Sequence, residues 1–496
     1  MNYMAYHLLT YSLIFLPVVI VLYQLCPARF RFLVLLAADY TFFCMISGKL
    51  LVWLLLATLV TYGTGRWLAR IPVKHSDLRG KALTRKKRGV LAVGIVLILG
   101  ALVTLKYLRI FGVTLAAPIG ISYYSLQAIS YMTDVYRGTQ ESCKNPFKVA
   151  LFLSFFPQIM EGPISRFSET AEALYGGKSI QFENLVFGYQ RIIWGLFKKM
   201  VIADRLAPLV AKVFSSYNNF DGAAILVGVL AYTMQLYMEF SGCMDIVIGT
   251  AKIFGVTLPE NFRLPFVSKN AGEFWRRWHI TLGTWFKTYI FYPVSISKPV
   301  KKWNKFATKK FGKYVAKLGV SAATLFPVWL CNGIWHGAQW GYIFYGMYYF
   351  VILLVEAALE PIVKKKCVGP VWDGIRMAKT WVIIFTGELF FRAERLSVGL
   401  SMFGSIFKGF TLQTLWDGSL LALGLSIPDF LCAFAFTILV AVMEHKKEAG
   451  LDYYEKLQEY RTPVRWGIYY AFIFAIIIFG AYGTGYQKVD LIYAQF

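Results

Sequence analysis

Long apolar segments separated by short clusters of basic residues run through this chain from end to end. Several of these segments reach about 20 residues, the length that an α-helix needs to cross the hydrocarbon core of a bilayer. No polar stretch between them is long enough to fold separately, so we expect a single membrane domain over residues 1–496. The pattern therefore predicts an all-α polytopic membrane protein with about ten to twelve spanning helices and additional re-entrant helices.

The distribution of charge predicts how the chain is oriented. The sequence is 57% hydrophobic and only 16% charged, with a net charge of +25. Most basic residues lie in clusters between apolar segments, notably at residues 66–88 and 298–317, where the excess of Lys and Arg on cytoplasmic loops explains them. We therefore exclude nucleic acid as a partner and expect contact with the lipid bilayer. Three predicted spans precede the first cluster. Because that cluster is predicted to be cytoplasmic, an odd number of spans predicts that the N-terminus lies on the outer side of the membrane.

The seven cysteines are scattered, and no two have the spacing of a metal-binding or redox motif. They are typical of small buried side chains, and we expect neither a metal site nor a disulfide framework.

Two further segments differ from ordinary spanning helices. Residues 152–167 are too few to span and are interrupted by prolines and a glycine, so we expect irregular backbone buried within the protein. The apolar run 185–203 is followed by charged residues and includes Lys198 and Lys199, which indicates a helix end at a surface.

Glu239 and Asp245 lie in a predicted span and must be paired or solvated there. The basic residues nearest in sequence, Arg263, Arg276 and Arg277, are the simplest predicted partners.

His279 and His336 are the candidate functional residues, because each follows a tryptophan within an aromatic, apolar sequence. An ionisable group at membrane depth costs several kcal/mol unless it is paired, which favours a functional role. The alternative is a structural histidine with both ring nitrogens hydrogen-bonded to backbone carbonyls. Trp278 and Trp335, which precede them, are predicted either to line a tunnel or to pack at a membrane interface.

Several motifs resemble those of a known family. They are PIGISYYSLQAISYMTDVYRG, FPQIMEGPISRF, EFWRRWHITLGTWF and GIWHGAQWGYIFYG, and they lie in the family's order within residues 118–346. In these motifs the chain resembles the membrane-bound O-acyltransferases, and within them the bacterial branch that O-acetylates polysaccharides such as alginate. It departs from that branch at Cys243 and at residues 294–297, so the resemblance leaves open whether alginate itself is the acceptor.

The resemblance implies a ring of transmembrane helices around a central tunnel in the bacterial cytoplasmic membrane. An acyl group, most simply acetyl, would pass from a cytoplasmic thioester to an acceptor outside. The donor would be acetyl-CoA or an acyl-carrier thioester, with no tightly bound cofactor and no metal. The implied partners are an extracytoplasmic acetyltransferase and a polysaccharide acceptor.

The resemblance assigns the functional roles to His336 and His279. Acyl transfer to a hydroxyl needs a base for the proton and a donor for the oxyanion. We predict His336 as the base, and His279 as the group that orients donor or acceptor or that supports the base. Asn332 lies four residues before His336, so on a helix its amide shares that face and is a candidate oxyanion donor. The same spacing is also typical of ordinary helix packing.

Three alternatives stay open. A D-alanyl transferase of teichoic acid D-alanylation would use the same chemistry, although its ammonium group requires an acidic or aromatic partner. A transporter is less favoured, since the sequence contains no evident internal repeat. A non-catalytic scaffold would tolerate the loss of both histidines.

Overall fold

The computed structural model describes residues 5–8, 10–74, 77, 79–107, 116–337, 339–393 and 395–482, and within these ranges it is helical and has no β-strand. Seven helical stretches are long and apolar enough to cross a membrane. They are Ala28–Lys74, Gly80–Tyr107, Gly222–Ile253, Lys298–His336, Trp340–Val363, Ile427–Glu448 and Thr462–Phe479. The first contains two helices joined at Gly48, whose φ of +56° ends the earlier one. The prediction of an all-α polytopic membrane protein is confirmed, and the ring around a tunnel stays a prediction.

The described chain divides into two compact units. The first comprises Met1–Gly195 and Cys243–Glu260. Its helices are Leu16–Leu25, Arg31–Ser47, Leu51–Lys74, Gly80–Tyr107, Ile121–Arg137, Pro146–Ser154, Phe156–Ile159, Phe167–Tyr175 and most of Phe182–Leu196, together with the last part of Gly222–Ile253. A cluster of aromatic rings forms part of its core, with Tyr6, Tyr11 and Phe156 each packing close to Phe42.

The irregular segment at residues 152–167 is buried, as predicted, and its backbone is hydrogen-bonded by side chains. Asp39 is fully buried and accepts from the backbone N–H of Phe156 at 2.7 Å and from the hydroxyl of Ser154 at 3.0 Å. The hydroxyl of Tyr6 donates to the carbonyl of Phe156 and accepts from the N–H of Met160. Non-helical backbone is tolerated inside a membrane protein only when its polar groups are satisfied in this way.

The second unit comprises Leu196–Gly242 and Asn261–Phe496. It contains both candidate histidines. Its helices are Asp204–Ser215, the first part of Gly222–Ile253, Ala271–Arg277, Ile280–Phe286, Tyr292–Ser295, Lys298–His336, Trp340–Lys366, Pro370–Arg392, Leu396–Lys408, Ile427–Glu448, Tyr453–Glu459 and Thr462–Phe479.

The prediction of a helix end at a surface near Lys198 and Lys199 is wrong. The chain continues through a π-helical turn, Phe197–Ala203, directly into the next helix, and both lysines are almost completely buried. Lys199 pairs with Asp204 at 2.5 Å and with a second carboxylate at 3.6 Å. Buried cations of this kind require such counter-charges, and those come from residues distant in sequence.

Glu239 and Asp245 are paired, but not with the arginines nearest in sequence. Within the second unit, Glu239 lies 3.6 Å from Lys199. Within the first unit, Asp245 accepts from Arg191 at 2.9 Å. Helix Gly222–Ile253 has buried residues around its whole circumference, so its acids meet partners that sequence proximity does not reveal.

A close crossing of two helices fixes the position of His336. A Cβ atom on Gly346 would lie 2.3 Å from the carbonyl oxygen of Trp329, and one on Gly333 would lie 2.5 Å from that of Tyr342. Glycine is therefore needed at both positions for the backbones to approach this closely. The crossing places the end of helix Lys298–His336 against the aromatic start of helix Trp340–Lys366.

Gly346→Ala is expected to destabilise this crossing by about 1–3 kcal/mol, because the added methyl group overlaps backbone that cannot move aside. The measurement is the thermal unfolding midpoint of the purified protein in detergent. Gly374→Ala is the matched control, since a Cβ there meets nothing within 4 Å. Equal midpoints for the two variants would contradict the close crossing.

Candidate active site

The short helix Ala271–Arg277, which precedes His279, is anchored at its N-terminus. The side chain of Asn270 accepts from the N–H of Glu273 at 2.8 Å, as a helix cap does. Glu356, on helix Trp340–Lys366, accepts from the N–H of Ala271 at 3.1 Å, and Lys379 donates to the same carboxylate at 2.6 Å. A carboxylate at a helix N-terminus also compensates the helix dipole. These bonds hold the segment that carries His279 against the helix that follows His336.

His279 has a backbone conformation that is rare for a residue with a side chain. Its φ and ψ are 45° and 51°, in the left-handed region, between helices Ala271–Arg277 and Ile280–Phe286. Such a conformation costs about 1–3 kcal/mol and persists where its surroundings enforce it. The surroundings here are Asn261, whose backbone carbonyl accepts from Ile280 and whose side chain accepts from Thr281.

The bonds of Asn261 also assign the tautomer of His279. The Asn261 Oδ1 atom accepts from the Thr281 N–H at 3.0 Å and lies 3.3 Å from His279 Nδ1. A backbone N–H only donates, so this Asn261 atom is the oxygen, and Nδ1 of His279 must carry the hydrogen. The Nε2 atom of His279 is then left as a hydrogen-bond acceptor.

His279 lies outside the seven long helical stretches and is 2% exposed. Burial lowers the pKa of His279 to about 3. The imidazole is consequently neutral at physiological pH, since desolvation penalises its charged form. A group with so low a pKa is a weak proton acceptor and is better suited to holding a partner by a hydrogen bond.

His336 is the last residue of helix Lys298–His336 and is 4% exposed. Aromatic rings surround its imidazole. The ring centroids of Trp335 and Phe391 lie 5.0 Å away, and those of Tyr342 and Tyr345 lie 6.2 and 6.1 Å away. This apolar enclosure reduces access of water to the imidazole.

Trp335 brings the two candidate histidines together. Its indole lies 5.0 Å from the ring of His336 and 6.0 Å from that of His279. The two residues are 57 positions apart in the chain and still share one aromatic neighbour, which defines a single site.

Trp278 has a different position. Its indole packs at 5.1 Å from Phe262, 5.3 Å from Phe274 and 5.9 Å from Tyr237, and none of its ring contacts within the described ranges is with a histidine. These contacts are those of a residue that packs in an aromatic core. A role of Trp278 in lining a tunnel stays a prediction.

Asn332 lies one turn before His336 and is 5% exposed. Its side chain makes no hydrogen bond to any described residue, and its Oδ1 atom is buried. A buried amide normally has hydrogen-bond partners. The amide of Asn332, beside the candidate base His336, is therefore able to form hydrogen bonds with a substrate.

Glu388 is a residue that the sequence prediction missed. It is 1% exposed on helix Pro370–Arg392, and it accepts from the hydroxyl of Tyr345 at 3.2 Å through one oxygen. Its other oxygen has no hydrogen-bond partner among the described residues. Glu388 is thus separated from His336 by one side chain, that of Tyr345, which contacts both. The only signal in the sequence is an acid within an apolar run, without a motif around it.

The fold and the site define a polytopic membrane protein with two imidazoles and an amide buried in an aromatic environment. The described residues contain no cluster of three His, Cys, Asp or Glu side chains that could hold a metal ion. His336 and Asn332, the residues predicted as base and oxyanion donor, lie one helical turn apart.

Comparison with known proteins identifies the family. The family model of the membrane-bound O-acyltransferases matches residues 101–388, which include both histidines and Asn332. The chain belongs to the membrane-bound O-acyltransferase family, and it is an acyltransferase.

Three relatives illustrate the range of the family. A probable alginate O-acetylase of Azotobacter vinelandii is 32% identical over 412 residues, covering 80% of this chain and 76% of that protein. A peptidoglycan O-acetyltransferase of Helicobacter pylori is 30% identical, over 58% of this chain and 56% of that protein. A teichoic acid D-alanyltransferase of Bacillus subtilis is 28% identical, over 47% of this chain and 58% of that protein.

Proposed function

We propose that this protein passes an acetyl group from a cytoplasmic thioester across the membrane for O-acetylation of an extracellular or cell-wall polysaccharide. The observation that carries the proposal is the contact of Trp335 with both His279 and His336, with Asn332 one turn from His336. The names of the relatives add weight, since those that cover most of this chain are O-acetylases. The bacterial cytoplasmic membrane, with the N-terminus outside, is the proposed location, in accord with the basic clusters.

His336 is assigned as the general base. The acceptor hydroxyl gives its proton to the imidazole of His336 as its oxygen bonds to the thioester carbonyl carbon. The amide N–H of Asn332 donates to the oxyanion of the tetrahedral intermediate. When the intermediate collapses, the carbon–sulfur bond breaks, and the thiolate takes the proton from His336. The products are an ester and a free thiol, so atoms and charge balance.

His279 has a supporting role in this scheme. With hydrogen on Nδ1 bound to Asn261, its Nε2 atom accepts a hydrogen bond and does not donate one. It therefore orients an N–H or O–H group, either the acceptor hydroxyl or the imidazole of the base. Orientation of the donor carbonyl, which requires an N–H, does not fit this tautomer.

The donor is proposed to be acetyl-CoA or an acyl-carrier thioester, which is used as a substrate and not held as a cofactor. The lysines of residues 298–317 are mostly exposed, and their positive field attracts a phosphate-bearing donor. An extracytoplasmic acetyltransferase is the proposed partner that completes the modification.

The test of this proposal uses purified protein in proteoliposomes. Labelled acetyl thioester is supplied on one face and a polysaccharide acceptor, with or without the partner, on the other. Transfer of label to the acceptor or partner is expected. Accumulation of free acetate alone, without labelled acceptor in any arrangement, would contradict the proposal.

D-alanyl transfer is the second candidate, and Glu388 is the specific observation that favours it. A D-alanyl group carries an ammonium, which needs a counter-charge in an apolar pocket. The acids near the histidine motifs in sequence are already paired, but Glu388 retains one buried oxygen without a hydrogen-bond partner among the described residues. The relatives with this activity cover a smaller share of the chain than the O-acetylases do.

Glu388→Gln distinguishes the two candidates. For acetyl transfer, we expect rates within about twofold of wild type, because glutamine still accepts from Tyr345 and acetyl has no charge to compensate. For D-alanyl transfer, loss of the carboxylate is expected to lower the rate about 10- to 100-fold. Initial rates with labelled acetyl and D-alanyl thioesters measure both effects, with the exposed Glu459→Gln as control. D-alanyl transfer that Glu388→Gln abolishes, with no acetyl transfer, would replace the first candidate by the second.

A further inference from the structure

A cavity of about 470 Å³ lies in the second unit, and its lining residues do not include the two candidate histidines or Asn332. It is formed by the end of helix Asp204–Ser215, the end of helix Pro370–Arg392 and the backbone at Gly424. The residues that line it are Pro208, Ala211, Lys212, Phe214, Ser215, Arg392 and Gly424. A cavity of this volume is large enough for a group the size of a monosaccharide.

Among the described residues, the charged side chains that line the cavity are two cations, Lys212 and Arg392. Neither Lys212 nor Arg392 forms an ion pair or a side-chain hydrogen bond with any residue that the structure describes. The guanidinium carbon of Arg392 lies 5.5 Å from the ring centroid of Phe214, a cation–π contact. Two cations in one cavity that form no ion pair with the described residues favour an anionic ligand.

The cavity is adjacent to the proposed catalytic pocket. Arg392 directly follows Phe391, whose ring lies 5.0 Å from the imidazole of His336. Arg392 is also within electrostatic reach of Tyr342, whose ring lies 6.2 Å from the same imidazole. Arg392 is therefore next in the chain to one aromatic neighbour of His336 and acts electrostatically on another.

The distribution of charge places the cavity on the outer side of the membrane. Helix Ile427–Glu448 is one of the seven candidate spans, and it ends in His445, Lys446 and Lys447. By the excess of positive charge on cytoplasmic segments, this end is cytoplasmic, so Gly424, just before the other end, is outside. The acceptor approaches the proposed site from that side.

We propose that this cavity binds an anionic group of the acceptor saccharide, a carboxylate or a phosphate, and positions a neighbouring hydroxyl toward His336. The proposal rests on the proposed function, and it names the acceptor as an anionic polymer. The guanidinium of Arg392 suits a bidentate contact with such a group, and Lys212 adds a point charge in the lining of the cavity. Because Lys212 is exposed and Arg392 half-buried, the anion enters from solvent.

The test measures binding and transfer separately. Binding of an oligouronate and of a neutral oligosaccharide of equal length is measured calorimetrically on wild type, Arg392→Gln, Lys212→Gln and the double variant. Arg395→Gln is the matched control, since Arg395 is exposed and does not line the cavity. Nanodiscs of purely zwitterionic lipid and nanodiscs with phosphatidylglycerol show whether a lipid headgroup competes. Inorganic phosphate is the second soluble anion.

We expect wild type to bind the oligouronate, or inorganic phosphate, at least about tenfold more tightly than the neutral oligosaccharide. Each single variant should lose about 10-fold in affinity, and the double variant more, because each removes a charge-assisted contact. In transfer assays the loss should appear in KM for the anionic acceptor. The preference for the anionic over the neutral acceptor, measured as the ratio of their kcat/KM values, should fall in the same variants.

Equal binding of the charged and neutral probes, or binding that the double variant does not weaken, would overturn the proposal. Occupation by phosphatidylglycerol without binding of either soluble anion would likewise assign the cavity to lipid. A failure of the proposed function has a different signature, in which wild type binds the anion but transfers no acyl group to any acceptor.

Discussion

Substituting His336→Ala is expected to lower the rate of acyl transfer about 100- to 10,000-fold, the range that a general base contributes. The imidazole is enclosed by Trp335, Phe391 and two tyrosines, so water has little access to replace the lost base. The measurement is the initial rate of label transfer from thioester to acceptor, with purified variant in proteoliposomes. Because alanine leaves a cavity that can itself destabilise, His336→Gln is measured alongside.

His445→Ala is the control for this prediction, since His445 is exposed at the end of helix Ile427–Glu448. Both His336 variants should remain monodisperse in detergent. Substantial transfer by either variant would show that His336 is not the base. The pH profile adds a second observation, because His279, with a pKa lowered to about 3, does not ionise near neutrality. A protonation that reduces the rate between about pH 5 and 8 therefore belongs to a different group.

Replacing Asn332 by alanine is expected to lower kcat about 100- to 1000-fold with KM nearly unchanged. The physical reason is that an oxyanion donor acts on charge that develops only in the transition state. The position of Asn332 fits this role, because it lies one turn from His336 and makes no hydrogen bond to any described residue that would be lost with the substitution. Steady-state kinetics at varied acceptor and thioester concentrations separate kcat from KM.

Asn304→Ala serves as the control on the same helix, since Asn304 is exposed and far in sequence from the site. Asn332→Leu distinguishes chemistry from packing, because leucine fills similar volume without donating a hydrogen bond. If Asn332→Leu keeps the wild-type kcat, the amide is only a packing residue and the oxyanion must be stabilised elsewhere.

Much of the fold was predictable because bilayer solvation acts on short stretches of sequence. A sufficiently long apolar run in a bilayer forms a helix, because a helix satisfies the hydrogen bonds of its own backbone N–H and C=O groups where no water is present. The irregular, buried segment at residues 152–167 follows from glycine and proline positions that the local sequence shows directly. The two Trp-His pairs were likewise visible, because ionisable residues are rare in such surroundings.

The pairing of charges was not predictable, as the buried lysines illustrate. The sequence places Lys198 and Lys199 among charged residues at the end of an apolar run, which is typical of a surface. The structure buries them, since Asp204, Glu239 and Glu444 supply counter-charges within 4 Å. Only a compact fold brings together carboxylates from separate helices, and their Coulomb energy depends on that distance.

The sequence by itself determined that this protein is a helical membrane protein with two unusual histidines, since composition and hydrophobic length decide how each segment partitions. The tertiary structure decided what those histidines can do. The tautomer of His279 depends on Asn261, the enclosure of His336 depends on Phe391 and Tyr345, and the proximity of both depends on Trp335. Hydrogen bonds and ring contacts act over a few ångströms in space. The number of residues between two positions in the chain does not reveal how close their side chains lie in the fold.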